Sequence, residues 1–253
     1  MSDAERAEAA FWATFLRNRN VDATTAGDGA VAVAGGYALC AAGTAVTYAI
    51  GAGAARPLRA DDFEVVEGFY DARGLPARFE LEVETLTAAE TLLRDRGYQD
   101  EGLELAVYAG PVATRPVPEG IAVRRTTDRT LFADLLVRGA AETIHDVGVL
   151  HRSAVLNASA GTLVVASIGG TDVGVGALGV SGDAAFFYSG AVLPAYRGRG
   201  VHGALIAGRM NLAAGLGVST AITKTAVGSP VGRTAERFGL VPAGTRRRLI
   251  RAA

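Results

Sequence analysis

The chain has 253 residues with 25 basic and 26 acidic side chains, enough for one large domain or two ordinary ones and too evenly charged to argue for nucleic acid. Its one cysteine, Cys40, rules out an internal disulfide framework and a cysteine-based zinc site, and suits a reducing cytoplasm. The charged start Met1 to Arg6 does not read as a signal peptide, and the Ala- and Gly-rich run from Ala30 to Gly53 is broken by glycines and polar residues, so it reads as buried strands and not as a membrane span.

In chain order, residues 3 to 19 set Phe11, Trp12, Phe15 and Leu16 along one side of a helix, with Asp3 as a possible N-cap. Short strands follow at Val31 to Ala34, Tyr37 to Cys40 and Val46 to Ile50. The turn Gly51-Ala52-Gly53-Ala54-Ala55-Arg56-Pro57 leads to a helix over Asp61 to Arg73, whose Phe63, Val66, Phe69 and Tyr70 face inward. Two aspartates at that helix start satisfy its amides with carboxylate and repel phosphate, so the turn reads as self-capped and not as a ligand site. A strand over Arg78 to Val83, a helix over Thr87 to Arg96 and a strand over Leu103 to Tyr108 complete the first half.

The stretch 111 to 120 carries Pro111, Pro116 and Pro118 and joins neither a helix nor an interior strand, so it is a linker between domains 1–110 and 121–253. The second half starts with a strand at Ile121 to Arg125 and a helix from Asp128. A helical or irregular segment from Gly139 to Ser159 carries Glu142, His145, Asp146 and His151. Strands at Thr162 to Ser167, Val173 to Val180 and Ala184 to Leu193 form a meander. Pro194 ends the last of them by removing a ladder donor. Then come the turn Arg197-Gly198-Arg199-Gly200 and a helix with Val201, Ala204, Leu205, Gly208, Leu212 and Leu216 on one face. Strand Thr220 to Thr223, helix Pro230 to Phe238 and strand Arg248 to Ile250 close the chain, and Arg246-Arg247-Arg248 reads as the solvated start of that strand. Strand, helix, Gly-plus-apolar stop and strand recur in both halves, which suggests an internal duplication.

Glycines at 198 and 200 let the backbone turn sharply and approach a ligand, and the first amides of a helix have no internal acceptor. A helix start of this kind attracts pyrophosphate through amide donors and dipole, and Arg197 and Arg199 add positive charge. These residues resemble the acyl-CoA-binding motif of the GNAT superfamily of N-acetyltransferases, Q/R-x-x-G-x-G/A after a strand ending in an apolar-apolar-Pro run. Arg197 and Gly200 match it, and His202 departs at the third position, with Gly203 just after. The resemblance implies an α/β (α+β) fold with a mixed, mostly antiparallel sheet flanked by helices, in two related domains, the first having lost its phosphate turn. It also implies acetyl-CoA as acyl donor, with pyrophosphate on the amides of Arg197, Gly198, Arg199, Gly200, Val201, His202 and Gly203, and the pantetheine arm and thioester carbonyl on those of Val192 and Leu193.

Acyl transfer to an amine gains from a base. Glu142 and His145, three residues apart on one helix face, and Tyr188, beside the turn, are the candidates. Many members of the superfamily place a tyrosine in the last helix to protonate the leaving thiolate. Ala235 stands at that position here, which leaves Thr234, a water or no acid at all. The expected function is direct acetyl transfer from acetyl-CoA to an amine of a small molecule or peptide, without metal, nucleic acid or membrane. The alternative is a CoA-binding sensor or regulatory module that has lost turnover.

Overall fold

A computed structural model describes residues 3–19, 27–142 and 146–251. The first helix, α1 (Asp3–Arg19), buries Trp12 and Leu16, and is followed by strands β1 (Gly29–Val33), β2 (Gly36–Cys40) and β3 (Thr47–Ile50). Helix α2 (Ala60–Asp71) starts where Asp62 turns back to accept the Arg59 N–H at 2.8 Å, and strand β4 (Ala77–Glu82) follows. Helix α3 (Val83–Asp95) begins four residues earlier than the sequence suggests and ends at Gly97, whose φ of 77° only glycine adopts at low cost. Strand β5 (Gln99–Pro111) runs to the first proline of the expected linker.

Next come β6 (Ile121–Thr126) and α4 (Arg129–Ala140), whose N-cap Asp128 accepts the Leu131 N–H at 2.8 Å. The described residues of the segment read as helical or irregular fall at the end of α4 and in helix α5 (Val147–Ala160), with Asp146 accepting the Val149 N–H at 2.9 Å. A meander of β7 (Thr162–Ile168), β8 (Thr171–Ser181) and β9 (Ala184–Val192) leads to a 3₁₀ turn at Pro194–Tyr196 and helix α6 (Val201–Gly215). Strand β10 (Thr220–Ala226), helix α7 (Pro230–Arg237) and strand β11 (Val241–Arg251) complete the order.

These elements form two compact units. One takes the described residues of 1–42, 46–107 and 243–253, and the other takes 43–45 and those of 108–242. By its contacts the closing strand therefore goes with the first unit and not with residues 121 onward, because β11 pairs antiparallel with β4 from Arg246↔Glu82 to Arg251↔Ala77.

In the first unit the strand order is β1-β2-β3-β4-β11-β5; β1–β2, β2–β3 and β4–β11 pair antiparallel, while β3 and β4 run parallel with Ala49 beside Phe79. Its core stacks Phe63 of α2 against Phe79 and Tyr98, with ring centroids 5.3 and 5.7 Å apart, over Val66, Tyr70 and Leu81. Each such side chain contributes about 1.5–3 kcal/mol by leaving water. Arg246 corrects the solvated reading of the arginine run: it is fully buried, 2.7 Å from Glu8 and 3.3 Å from Glu80, while Arg248 meets Glu80 at 2.9 Å.

In the second unit the order is β10-β9-β8-β7-β6, antiparallel except for β9 and β10, which run parallel. Val164, Ala166, Val173 and Val192 from the sheet pack on Val201 and Leu205 of α6. Among the described residues no helix is long and apolar enough to cross a membrane.

Candidate functional site

The turn between β9 and α6 leaves a row of amides unanswered. Tyr196 N–H donates to Leu193 O at 2.9 Å and Arg197 N–H to Pro194 O at 3.2 Å, and the next internal bond is Ala204 N–H to Gly200 O at 3.0 Å. The helix start has no side-chain cap, so the amides from Gly198 to Gly203 find no acceptor among the described residues. Gly198 and Gly200 take φ of 75° and 83°. A Cβ on Gly198 would meet nothing within 4 Å, and one on Gly200 only Ile121 Cδ1 at 3.7 Å, so this backbone borders open space. Free amides, a helix dipole and room for a ligand suit a pyrophosphate.

Arg197, read as a charge beside the phosphates, is turned away from these amides. It reaches back to the carboxylate of Glu142, to Gly139 O at 2.9 Å and to Val192 O at 3.4 Å, tying the turn to the end of α4. Both partners of that ion pair are half exposed, so it contributes about 0–1 kcal/mol. The guanidinium of Arg199 lies over the Tyr196 ring at 5.3 Å. Leu193 N–H is not available to a pantetheine arm, because it already donates to Val173 O at 2.9 Å. Val192 faces Gly174 across the β8–β9 ladder.

The opening beside the turn lies further back along β9. Parallel pairing with β10 runs from Ala184↔Thr220 only to Phe187↔Thr223, and a register shift between Val175 and Ala177 of β8 leaves Ser189 of β9 at φ 51°. This bulge pulls Tyr188, Ser189 and Gly190 out of step with β10. They line a cavity of about 370 Å³ together with Lys224 and Thr225 of β10, Ser153 and Asn157 of α5, and His202 and Arg209 of α6.

Of the three candidate catalytic residues, Tyr188 is in this cavity, 9% exposed, stacked on Phe186 and donating from Oη to Asn157 O at 3.3 Å. Burial raises its pKa, so the phenol keeps its proton at neutral pH and does not act there as a base. Glu142 is at the β9–α6 turn, paired with Arg197, and not among the cavity-lining residues. His145 lies outside the described residues. His202 points into the cavity beside Gly190, and its Nε2 has no partner among the described residues. Burial and the Arg209 cation hold its pKa down at about 4, so the ring is neutral at pH 7. On α7, Ala235 is buried, and Thr234 spends its hydroxyl on Pro230 O at 3.1 Å within its own helix, so it is no substitute for the missing tyrosine.

Sequence reasoning missed the bulge and Arg209. A lone arginine four residues after Leu205, on the apolar face of α6, was the available signal for the second. Among the described residues no three His, Cys, Asp or Glu side chains converge as a metal site.

No family model matches the chain, and no curated protein matches it. Solved structures do. A GCN5-related N-acetyltransferase from Kribbella flavida superposes with a TM-score of 0.72 at 15% identity, covering 100% of this chain and 97% of its own. One from Sphaerobacter thermophilus gives 0.56 at 16% identity, over 75% of this chain and 66% of its own. A tandem GNAT protein from the clavulanic acid biosynthesis pathway gives 0.57 at 12% identity, over 81% and 74%. The chain has the fold of the GCN5-related N-acetyltransferases.

Proposed function

We propose that the second unit binds an acyl-CoA, acetyl-CoA in the simplest case, and transfers its acyl group directly to an amine of a small molecule or peptide. One observation carries this reading: the unanswered amides of Gly198 to Gly203 stand next to the splay of β9 and β10, so a diphosphate at the helix start puts its thioester end at the cavity. The glycine cradle fits the group, since the space a Cβ would fill there is open.

In the transfer, the neutral amine nitrogen attacks the thioester carbon, the C–N bond forms, the C–S bond breaks, and the amine proton is given up as the thiolate gains one. Holding donor and acceptor together in the cavity supplies the largest part of the acceleration. Backbone N–H groups at the Ser189–Gly190 bulge, out of register with the ladder beside the cavity, are the donors proposed for the developing oxyanion, a role that contributes a few kcal/mol when preorganised. Tyr188, protonated and at the cavity wall, is the side chain proposed to return a proton to the thiolate, giving up its long 3.3 Å bond to Asn157 O as it does so. Glu142 serves the donor site through Arg197.

Calorimetry with acetyl-CoA tests the binding half, and thiol release against a panel of amines tests transfer. Buried Ala235 and the committed hydroxyl of Thr234 favour a second reading, a CoA-binding sensor, for which binding persists and no amine releases thiol.

A further inference from the structure

Arg209 lies on α6 about 9 Å beyond Gly203, at 1.5 Å per residue, and so well past any diphosphate held at the helix start. Its side chain is enclosed, the residue being 3% exposed. Nε donates to Leu205 O at 3.0 Å, and Nη1 reaches Tyr188 O at 3.4 Å and Ala177 O at 3.5 Å. The Phe187 ring centroid is 5.0 Å from the guanidinium carbon. Nη2 has no acceptor among the described residues and lies 3.6 Å from where a Gly190 Cβ would be, at the bulge beside the cavity. No carboxylate among the described residues pairs with this cation, and no Asp or Glu lines the cavity.

A buried cation without a counter-ion is expensive even after relaxation, and carbonyls at 3.4 to 3.5 Å offset little of that cost. Burial lowers its pKa only to about 10, so the charge persists at neutral pH. The sheet makes room for it. A Cβ on Gly176 would come within 3.1 Å of Arg209 Cζ, so the strand is bare where the guanidinium lies against it. Among the described residues, the cavity thus holds a guanidinium with a free edge and no anion.

We propose that Arg209 receives a carboxylate carried by one of the two substrates. Its source is either the far end of a dicarboxylic acyl group on the CoA thioester or the acid group of the acceptor amine. This deepens the acyl-transfer reading and rests on it. The carboxylate is a spectator: it pairs with the guanidinium through charge-assisted hydrogen bonds while the C–N bond forms and the C–S bond breaks elsewhere in the cavity. The same cation disfavours a polycationic acceptor and favours the neutral form of a nearby amine.

Calorimetry on the full chain in two arms tests this. The first compares acetyl-CoA with succinyl-CoA and glutaryl-CoA. The second, with CoA present, compares glycine, glutamate and 4-aminobenzoate with their carboxamides. At least tenfold tighter binding of the carboxylate form is expected in one arm, which identifies the source. That preference is lost in Arg209→Gln and partly kept in Arg209→Lys, with thermal unfolding checking that both variants fold. Equal affinities in both arms, or a carboxylate preference that survives Arg209→Gln, overturns the assignment. If no thioester binds at all, the acyl-CoA reading itself fails and takes the first source with it, while the second arm still decides the second source.

Discussion

The turn after β3 and the turn after β9 follow the same plan, a strand entering a helix that returns to a parallel neighbour, yet they treat their backbone donors in opposite ways. After β3, Gly51 N–H donates to Glu5 Oε1 at 3.2 Å and Ala55 N–H to Ala34 O at 3.0 Å. At the start of α2 the Asp62 carboxylate takes the Arg59 N–H and is held by both Nη atoms of Arg56 at 2.6 and 2.7 Å. Hydrogen bonding to Arg56 keeps the Asp62 carboxyl below the usual carboxylate range. After β9 the one carboxylate at the turn, Glu142, is taken by the Arg197 side chain and not by the backbone, and among the described residues no side chain caps α6, so the amides of Gly198 to Gly203 are open. Topology alone therefore does not make an anion site. What matters is whether the chain answers its own helix-start amides or leaves them for a ligand.

The largest expected effect comes from closing the open turn. Gly200→Val forces a β-branched residue into φ 83° and fills the cradle, and it should weaken acetyl-CoA binding at least 100-fold by calorimetry, with about 1–2 kcal/mol lost from thermal stability.

Next in size, the two units should answer acid in opposite senses. His202, lowered from 6.5 to about 4, binds its proton more readily unfolded, so its contribution is present above pH 6.5 and lost as pH falls towards 4. Glu5, raised from 4.5 to about 7 mainly by burial, is the reverse: its contribution is full below pH 4.5 and lost as pH rises through 7. Between pH 7 and pH 5 hydrogen exchange should therefore show the first unit gaining and the second losing up to about 2 kcal/mol each. Parallel changes in both units would contradict these assignments.

Tyr188→Phe is smaller still. It should lower kcat about tenfold with the KM for donor unchanged, whereas a purely structural tyrosine would move both. Smallest is Asp62→Ala at the closed turn, expected to cost about 1 kcal/mol of stability by loss of the cap and to leave acetyl-CoA affinity untouched.

The contrast between the turns was legible in the sequence because its causes are local. Asp61 and Asp62 against Arg197 to Gly200 are short patterns whose meaning depends on a helix start and little else. What was not legible depends on distant partners. Arg246 is buried because Glu8, 238 residues away, reaches it, so a run that looks solvated in isolation forms a core ion cluster. Leu193 loses its amide to Val173, and Arg197 gives its charge to Glu142, through pairings that no spacing rule encodes. The bulge at Ser189, which opens the cavity, carries no glycine at its positive φ and so left no mark in the sequence. Strands β5 and β11 run longer than expected because neighbouring strands extend the ladder beyond the apolar runs.

Amide hydrogen exchange with and without coenzyme A compares the two turns in one experiment. Protection confined to the amides of Gly198 to Gly203, with those of residues 51 to 62 unchanged, is the predicted result. Protection at residues 51 to 62, or none at either turn, would contradict the placement of the diphosphate.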